Sequence, residues 1–343
     1  LFLHLNTNKR SLTLNLKAAT GAKILMELVK DADLLVESFR PRVMPALGLG
    51  YETLQSVNPR LLMVSVSSFG QTGPYRDFKA TEIVEYAMGG EMCSTGIASR
   101  EPLKLGGNVV QYQAGTVAAV SVMGALVAAR LRGEGQHIDV SIMETQMGST
   151  DRRIVYLLGY GCAGVLTTRW PPPREAVRML IMPQGVYPCK DGFINTLSLP
   201  QWWPRYLQAM GMPELKDDPR FQNIFSLEAG MEFDAIWYSW LADHTRAELF
   251  EKFLDAKIAS APVNTPADLL EDVQLKERDY FTEIDHPHTG KVLYPGAPFK
   301  STESTWEVRR PAPLLGQHND EILCGQLGYS RHDLVKLREG GII

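Results

Sequence analysis

The chain has 343 residues, with 35 Lys and Arg against 39 Asp and Glu, a net charge of −4, and 45% hydrophobic residues. That is the composition of a folded globular chain, and at about 150 residues per domain its length allows two domains. It excludes a disordered, collagen-like or disulfide-scaffold chain, and the near-neutral charge excludes a wholly basic nucleic-acid-binding domain.

The chain opens at Leu1 inside the alternating, strand-like run Leu1-Phe2-Leu3-His4-Leu5. An opening in mid-element leads us to expect that the natural chain extends further on the N-terminal side. Residues 12–16 (Leu-Thr-Leu-Asn-Leu) alternate and predict a short strand. Ile24, Leu25, Leu28 and Val29 stand at helical spacing and predict a helix over 20–30 capped by Thr20. Leu34-Leu35-Val36 and residues 61–66 read as short buried strands. Strand–helix–strand alternation of this kind predicts an α/β domain on a parallel sheet. The apolar run 114–129 falls short of the roughly 18 residues a spanning helix needs, and predicts a buried core helix over 114–130. A turn at Gly133-Glu134-Gly135-Gln136 leads to an alternating strand over 137–142 and a helix from about Met143. Residues 166–183, with Pro171-Pro172-Pro173, read as an irregular linker. Beyond it, 185–197 predicts a hairpin turning at Lys190-Asp191-Gly192. Helices over 201–210, 228–241 and 245–255 complete a smaller α/β domain, with Trp202, Trp203, Trp237 and Trp240 as core bulk. From about 285 the chain is rich in Pro and Gly, and helices near 319–327 and 330–339 close it.

The four cysteines, Cys93, Cys162, Cys189 and Cys324, form no Cys-x-x-Cys pair and read as buried thiols in a reducing compartment. We therefore expect a cytoplasmic protein with no membrane and no nucleic-acid partner. No zinc motif, P-loop, nucleophile elbow or dinucleotide fingerprint is present in the sequence. His286 and His288 flank a proline with poor metal spacing and read as a solvated loop, so no metal site is expected. The Gly-rich turn from Ser67 to Tyr75 follows a buried strand, which is where α/β proteins bind ligands; it also reads as a plain connection. Glu144 stands just after the 137–142 strand. Ser141-Ile142-Met143-Glu144 is a capping-box pattern, and the same placement holds a carboxylate as an anion, ready to act as nucleophile or base. Asp151 lies seven residues on, along the same predicted helix. Lys9, Arg10, Lys17, Arg40, Arg42 and Lys79 supply positive charge around the first strands, either as solvated surface charge or as phosphate contacts.

Several ordered stretches resemble the class III CoA-transferase family (CaiB/BaiF type), which includes formate/oxalate and carnitine CoA-transferases and α-methylacyl-CoA racemases. They are residues 8–17, 33–41 with 47–52, Asn58-Pro59-Arg60, 68–75, 133–141, 310–318 and 337–343. The resemblance covers essentially the whole chain. It implies a large Rossmann-like CoA-binding domain with a parallel sheet over 1–183, a small α/β domain over 184–295, and a segment over 296–343 returning to the large domain. It also implies an interlocked homodimer. The family's first strand and helix, with part of the CoA site, then fall before Leu1, and this chain alone is expected to be inactive.

Carried over by position, the family's CoA contacts fall on Leu14, Lys17, Ser38, Phe39, Arg40, Leu47 and Lys79. Ser38 stands where the family often has Asn, and Ala46 where some members place Arg. The family's catalytic Asp corresponds to Glu144, and the racemase His to Glu82. The resemblance thus implies transfer of CoA from an acyl-CoA donor to a small carboxylic acid through an enzyme-bound carboxyl-CoA thioester. No permanently bound cofactor is expected; CoA and acyl-CoA are substrates. The Gly89-Gly90 and Gly106-Gly107 amides are candidates for oxyanion contacts, beside their reading as structural turns. The Asp-to-Glu change moves the carboxylate by roughly an ångström, a displacement that can cost about 10²-fold. The alternatives are a racemase or isomerase of the same fold, against which Glu82 counts, and a non-catalytic CoA-binding relative.

Overall fold

The computed structural model describes residues 1–148, 153–165, 169, 183–223, 226–304 and 306–343. By its contacts the chain divides into two compact units. Leu1–Gly96, Glu101–Arg169 and Thr282–Ile343 form one; Ile97–Arg100 and Trp170–Phe281 form the other. The expected linker over 166–183 lies outside the described residues, apart from 169 and 183.

The first unit is built on three parallel strands, β1 (Leu34–Glu37), β2 (Leu62–Ser67) and β3 (His137–Ser141), side by side in that order. Around them run α1 (Phe2–Leu5), α2 (Ala19–Val29), α3 (Val43–Ala46), α4 (Tyr51–Val57), α5 (Glu82–Met88), α6 (Val109–Arg132), α7 (Ile142–Met147) and α8 (Arg153–Ala163). β2 is central and buried along nearly its whole length, as its apolar run predicts. Among the described residues β1 is an edge strand and is only partly buried: Leu34 and Leu35 pack into the clusters on the two faces, while Val36 is 57% exposed. One sheet face takes Ala118, Val122, Ala125 and Ala129 of α6 against Leu62, Val64 and Val140. The opposite side is filled from α2, α3 and α4, where Val29, Met44, Leu49 and Leu54 meet Leu61 and Met63. Helices on both faces bury a parallel sheet, which is why β2 reads as a continuous apolar run rather than an alternating one.

Several expectations are corrected here. Residues 1–5 form a helical turn with no buried residue, not a strand. Residues 12–16 join no sheet. Leu12 and Leu14 do turn inward, against Ile24, Leu323, Leu334 and Leu337. The backbone between them is satisfied by the C-terminal segment, with Ser11 N–H donating to His318 Nδ1 (3.0 Å), Thr13 N–H to Asn319 Oδ1 (3.0 Å) and Asn15 N–H to the Ile342 carbonyl (2.7 Å). Thr20 lies inside α2, which starts after Ala18 without a side-chain cap. The helix expected over 114–130 runs 24 residues and by length and composition passes for a membrane span. It is not a buried core helix. A single stripe (Val110, Ala114, Ala118, Val122, Ala125, Ala129) is buried, while Val120, Met123, Val127 and Leu131 are exposed. It ends at Gly133, whose left-handed φ of 79° closes the last turn at the least steric cost. Cys93 and Cys162 are exposed and Cys189 and Cys324 half-buried, all free, so these are not the buried thiols expected.

The second unit opens with the expected hairpin, β4 (Gly185–Cys189) against β5 (Gly192–Thr196), antiparallel. A third strand, β6 (Ser260–Pro262), which is too short to read from pattern, pairs with β5. Helices α9 (Trp203–Met210), α10 (Leu227–Ala242), α11 (Arg246–Asp255), α12 (Pro266–Glu271) and α13 (Val273–Glu277) complete it. Its core is aromatic, as the tryptophans suggested: Trp203, Tyr206, Phe221, Phe233, Trp237, Trp240 and Phe253 cluster there. Reciprocal capping boxes at Thr245/Glu248 and Thr265/Asp268 start α11 and α12.

The remaining segment, rich in Pro and Gly in the sequence, begins by pairing β7 (Phe281–His286) with β8 (Gly290–Pro295), two strands that the composition does not predict. His286 is not in a solvated loop. It is buried, with Nε2 3.2 Å from the Ala312 carbonyl and Nδ1 accepting from His288 N–H at 3.2 Å. The helix expected over 319–327 is a π-helix over Glu321–Gln326, and α14 (Arg331–Glu339) ends the chain.

Candidate active site

All three strands of the parallel sheet end at one cleft. Its lining includes Ser38, Phe39 and Arg40 after β1, Ser67 and Ser68 at the end of β2, and Ile142 after β3. The opposite wall is Gln111, Ala114 and Gly115 from the first turns of α6, with Arg76 and Phe78 closing the rim. The cleft holds about 340 Å³ and lies wholly within the first unit. The carboxyl ends of parallel strands are where open α/β sheets bind ligands, because the connections diverge there and leave backbone groups free.

Local packing fixes the walls. Glu37 Oε2 accepts the Phe39 N–H at 2.7 Å, which sets the turn that carries Ser38, Phe39 and Arg40. The Ser67–Tyr75 turn is more than a plain connection. Phe69 is buried edge-on to Tyr75 and Phe78, and Gln71 N–H donates to Asp139 Oδ2 at 2.9 Å. Arg42 grips Asp77 through two bonds of 2.9 and 2.7 Å, and Arg76 Nε lies 3.4 Å from the same carboxylate. Both guanidinium neighbours hold Asp77 below the usual carboxylate range, Arg42 most strongly. Arg76 is therefore partly neutralised, whereas Arg40 has no ionic partner among the described residues. A free guanidinium, hydroxyls and two phenyl rings suit a ligand with phosphate at one end and an apolar arm.

The positions expected to touch CoA separate into two sets. Ser38, Phe39 and Arg40 come together in the cleft. Leu14 and Leu47 pack into hydrophobic clusters, and Lys17 and Lys79 are exposed; none of these four lines the cleft. Glu144 lies two residues beyond Ile142, in the first turn of α7, and is exposed. Only half of the expected capping box forms. Ser141 Oγ accepts Glu144 N–H at 3.4 Å, while the Glu144 carboxylate has no partner among the described residues. Asp151 lies outside the described residues. The start of α7 is tied to the cleft, since Met143 N–H donates to the Ser68 carbonyl at 3.0 Å.

Two further carboxylates stand on α5. Glu82 Oε1 accepts Val110 N–H at 3.1 Å and pairs with Lys104 Nζ at 3.2 Å, so it caps α6 from another element. Glu85 is buried. Burial pushes its carboxyl up, a hydrogen bond from Ser68 pulls it down, and the charge of Glu82 pushes it up again. Its Oε2 accepts from Gln111 Nε2 at 3.0 Å. Sequence reasoning missed Gln111, Arg76 and Glu85. Arg76 follows directly on the Gly73-Pro74-Tyr75 turn and was within reach. Gln111 sits ahead of the apolar run from which α6 was read, and burial of Glu85 leaves no local pattern. Gly89 is structural. A Cβ there would fall 2.4 Å from Gln146 Cβ, so the glycine lets α5 lie against α7. Among the described residues no cluster of His, Cys, Asp and Glu is gathered for a metal ion.

Residues 1–319 match the family model described as CoA-transferase family III. A formyl-CoA:oxalate CoA-transferase of Streptomyces avermitilis is 30% identical over all of this chain and 86% of its own length. A succinyl-CoA–D-citramalate CoA-transferase of Chloroflexus aurantiacus is 30% identical over 98% of this chain and 83% of its own. The crystal structure of a CAIB/BAIF family protein from Brucella suis superposes with a TM-score of 0.82 at 25% identity, covering 94% of this chain and 83% of that one. With a parallel sheet, a cleft at its carboxyl edge and a family match along nearly its full length, the chain belongs to CoA-transferase family III.

Proposed function

We propose that the protein moves CoA from an acyl-CoA donor to a small carboxylic acid, with Glu144 as the carboxylate that carries CoA between them. The match of residues 1–319 to the family carries this reading. The cleft supports it, because Arg40, Ser38 and Phe39 gather at the carboxyl ends of the strands, where a phosphate-bearing ligand with an apolar arm fits. The Glu144 carboxylate attacks the thioester carbonyl and expels CoA thiolate, leaving a mixed anhydride. The thiolate then attacks the glutamyl carbonyl and releases the donor acid. The acceptor carboxylate attacks the resulting glutamyl-CoA thioester, forming a second anhydride and freeing the thiolate again. Attack of the thiolate on the acceptor carbonyl gives the new acyl-CoA and restores Glu144. One thioester replaces another, so neither ATP nor a metal enters the balance.

A second reading, CoA binding without self-acylation, is favoured by one observation: none of the residues lining the cleft is a carboxylate. Racemisation is disfavoured, since Glu82 is engaged by Lys104 and the start of α6. The test incubates the full-length protein with an acyl-CoA donor, traps with hydroxylamine or borohydride, and maps the modified peptide by mass spectrometry. A tag on Glu144, lost in Glu144→Gln, is the expected outcome. A tag on another carboxylate reassigns the nucleophile; CoA binding with no tag favours the second reading. We further propose that two copies associate through the exposed face of α6 and that the protein works in the cytoplasm.

A further inference from the structure

Two lips frame the rim of the cleft. The first is the turn after β1, which supplies Ser38, Phe39, Arg40 and Pro41 to the lining; the second follows the Gly-rich turn and supplies Arg76 and Phe78. Each lip is closed within itself. Val43 N–H donates to the Arg40 carbonyl at 2.9 Å, and Phe78 N–H to the Tyr75 carbonyl at 2.8 Å. Each is also anchored to the body of the unit. Glu37 holds the Phe39 N–H of the first, and buried Phe69 packs on Tyr75 and Phe78 of the second. Arg42 joins the lips by bonding Asp77 twice, Nε to Oδ1 at 2.9 Å and Nη2 to Oδ2 at 2.7 Å, between residues 35 apart in the chain. A fork of this kind fixes orientation as well as distance.

The pair's place gives it a use that its strength does not. The Arg42 and Asp77 side chains are 70% and 45% exposed, and an exposed ion pair adds little to folding stability. Yet Asp77 stands between the lining residues Arg76 and Phe78, and Arg42 is two residues from Arg40. The pair therefore sets the spacing between groups that face a ligand from two sides. Cutting it at either end frees both lips, whichever charge is removed. We propose that Arg42 and Asp77 are positioning residues: their ion pair straps the two lips together and slows the release of CoA from the cleft. This inference rests on the CoA-transfer reading.

The test displaces a fluorescent CoA derivative from the full-length protein with excess CoA in a stopped-flow instrument, with thermal melting in parallel. Arg42→Met and Asp77→Ala are each expected to speed release about fivefold, the scale of one well-formed exposed pair, with the melting temperature almost unchanged. The double variant releases the probe no faster than either single variant, because all three lack the same strap. A purely electrostatic role predicts opposite signs instead. Losing Arg42 would then loosen the hold on the CoA phosphates, and losing Asp77 would tighten it. Arg42→Lys keeps the charge without the fork and is expected to fall between wild type and Arg42→Met. Opposite effects in the two single variants, a multiplicative effect in the double variant, Arg42→Lys equal to Arg42→Met, or unchanged release overturns the proposal. Absence of CoA binding in the wild type is a different failure: it removes the transfer reading, and the strap's ligand with it.

Discussion

Glu85 makes the protein's stability depend on pH, in the direction opposite to Asp77, Asp218, Asp268 and Asp333. Burial raises its proton affinity in the folded state, and the Ser68 hydroxyl only partly opposes this. The unfolded chain therefore releases this proton first as pH rises. The stabilisation is complete below the ordinary Glu value of about 4.3 and is lost as pH climbs through the raised folded value. Asp77, Asp218, Asp268 and Asp333 run the other way. Side-chain bonds from Arg42, Arg220, Arg246 and Ser330 respectively are the largest cause holding each below the usual range. Their stabilisation is present above that range and fades as acid is added. Comparing wild type with Glu85→Gln cancels those shared groups. We expect melting temperatures close together at about pH 4, and Glu85→Gln increasingly the more stable protein toward pH 8. Parallel melting curves across that range would show that burial of Glu85 carries no proton linkage.

Among elements, α5 and α7 meet with no room for a side chain. Gly89 has φ −74°, so alanine carries no backbone penalty there, yet its Cβ would fall 2.4 Å from Gln146 Cβ, and Gln146 is buried. Gly89→Ala must push the helices apart, at a cost of about 1–3 kcal/mol, typical of an overpacked contact. An unchanged urea midpoint would contradict this packing. Elements whose signal is local were legible in the sequence: β2 and β3, the β4–β5 hairpin, the body of α6 and the helices α9, α10 and α11 of the second unit. Those completed by distant partners were not. α6 begins at Val109 because Glu82, far back in the chain, caps Val110 N–H. Residues 12–16 alternate like a strand, but Ser11, Thr13 and Asn15 bond to His318, Asn319 and Ile342 instead of a sheet neighbour. β7 and β8 hide in a Pro-rich stretch, since each pairs only with the other. The site divides in the same way. Ser38, Phe39 and Arg40 were readable from a motif, whereas Glu85 and Gln111 matter only because folding places them back to back.

At the scale of the whole chain, the first unit is closed by its own ends. Asn8 Oδ1 accepts from Arg309 N–H at 2.7 Å, and Asn319, itself buried, bonds Thr13 through both its oxygen (3.0 Å) and its nitrogen (2.8 Å). Internal closure of this kind does not reach the outer face of α6. There Val120 and Met123 are 69% and 63% exposed, with Val127 and Leu131 continuing the stripe, and Leu1, Leu5 and Tyr112 line an apolar groove beside it. We read this contiguous exposed apolar surface as an association face. A second copy of the chain is the occupant we assign to it, since an isologous pairing sets the same stripe against itself. Met123→Glu with Val127→Glu places charge at the centre of that face without touching the stripe that packs on Leu62, Val64 and Val140. Analytical ultracentrifugation should show the full-length protein as a dimer and the double variant as a folded monomer with an unchanged far-UV spectrum. A wild type that sediments as a monomer at micromolar concentration would leave this face without the partner assigned to it. A double variant that stays dimeric would move the interface to another surface.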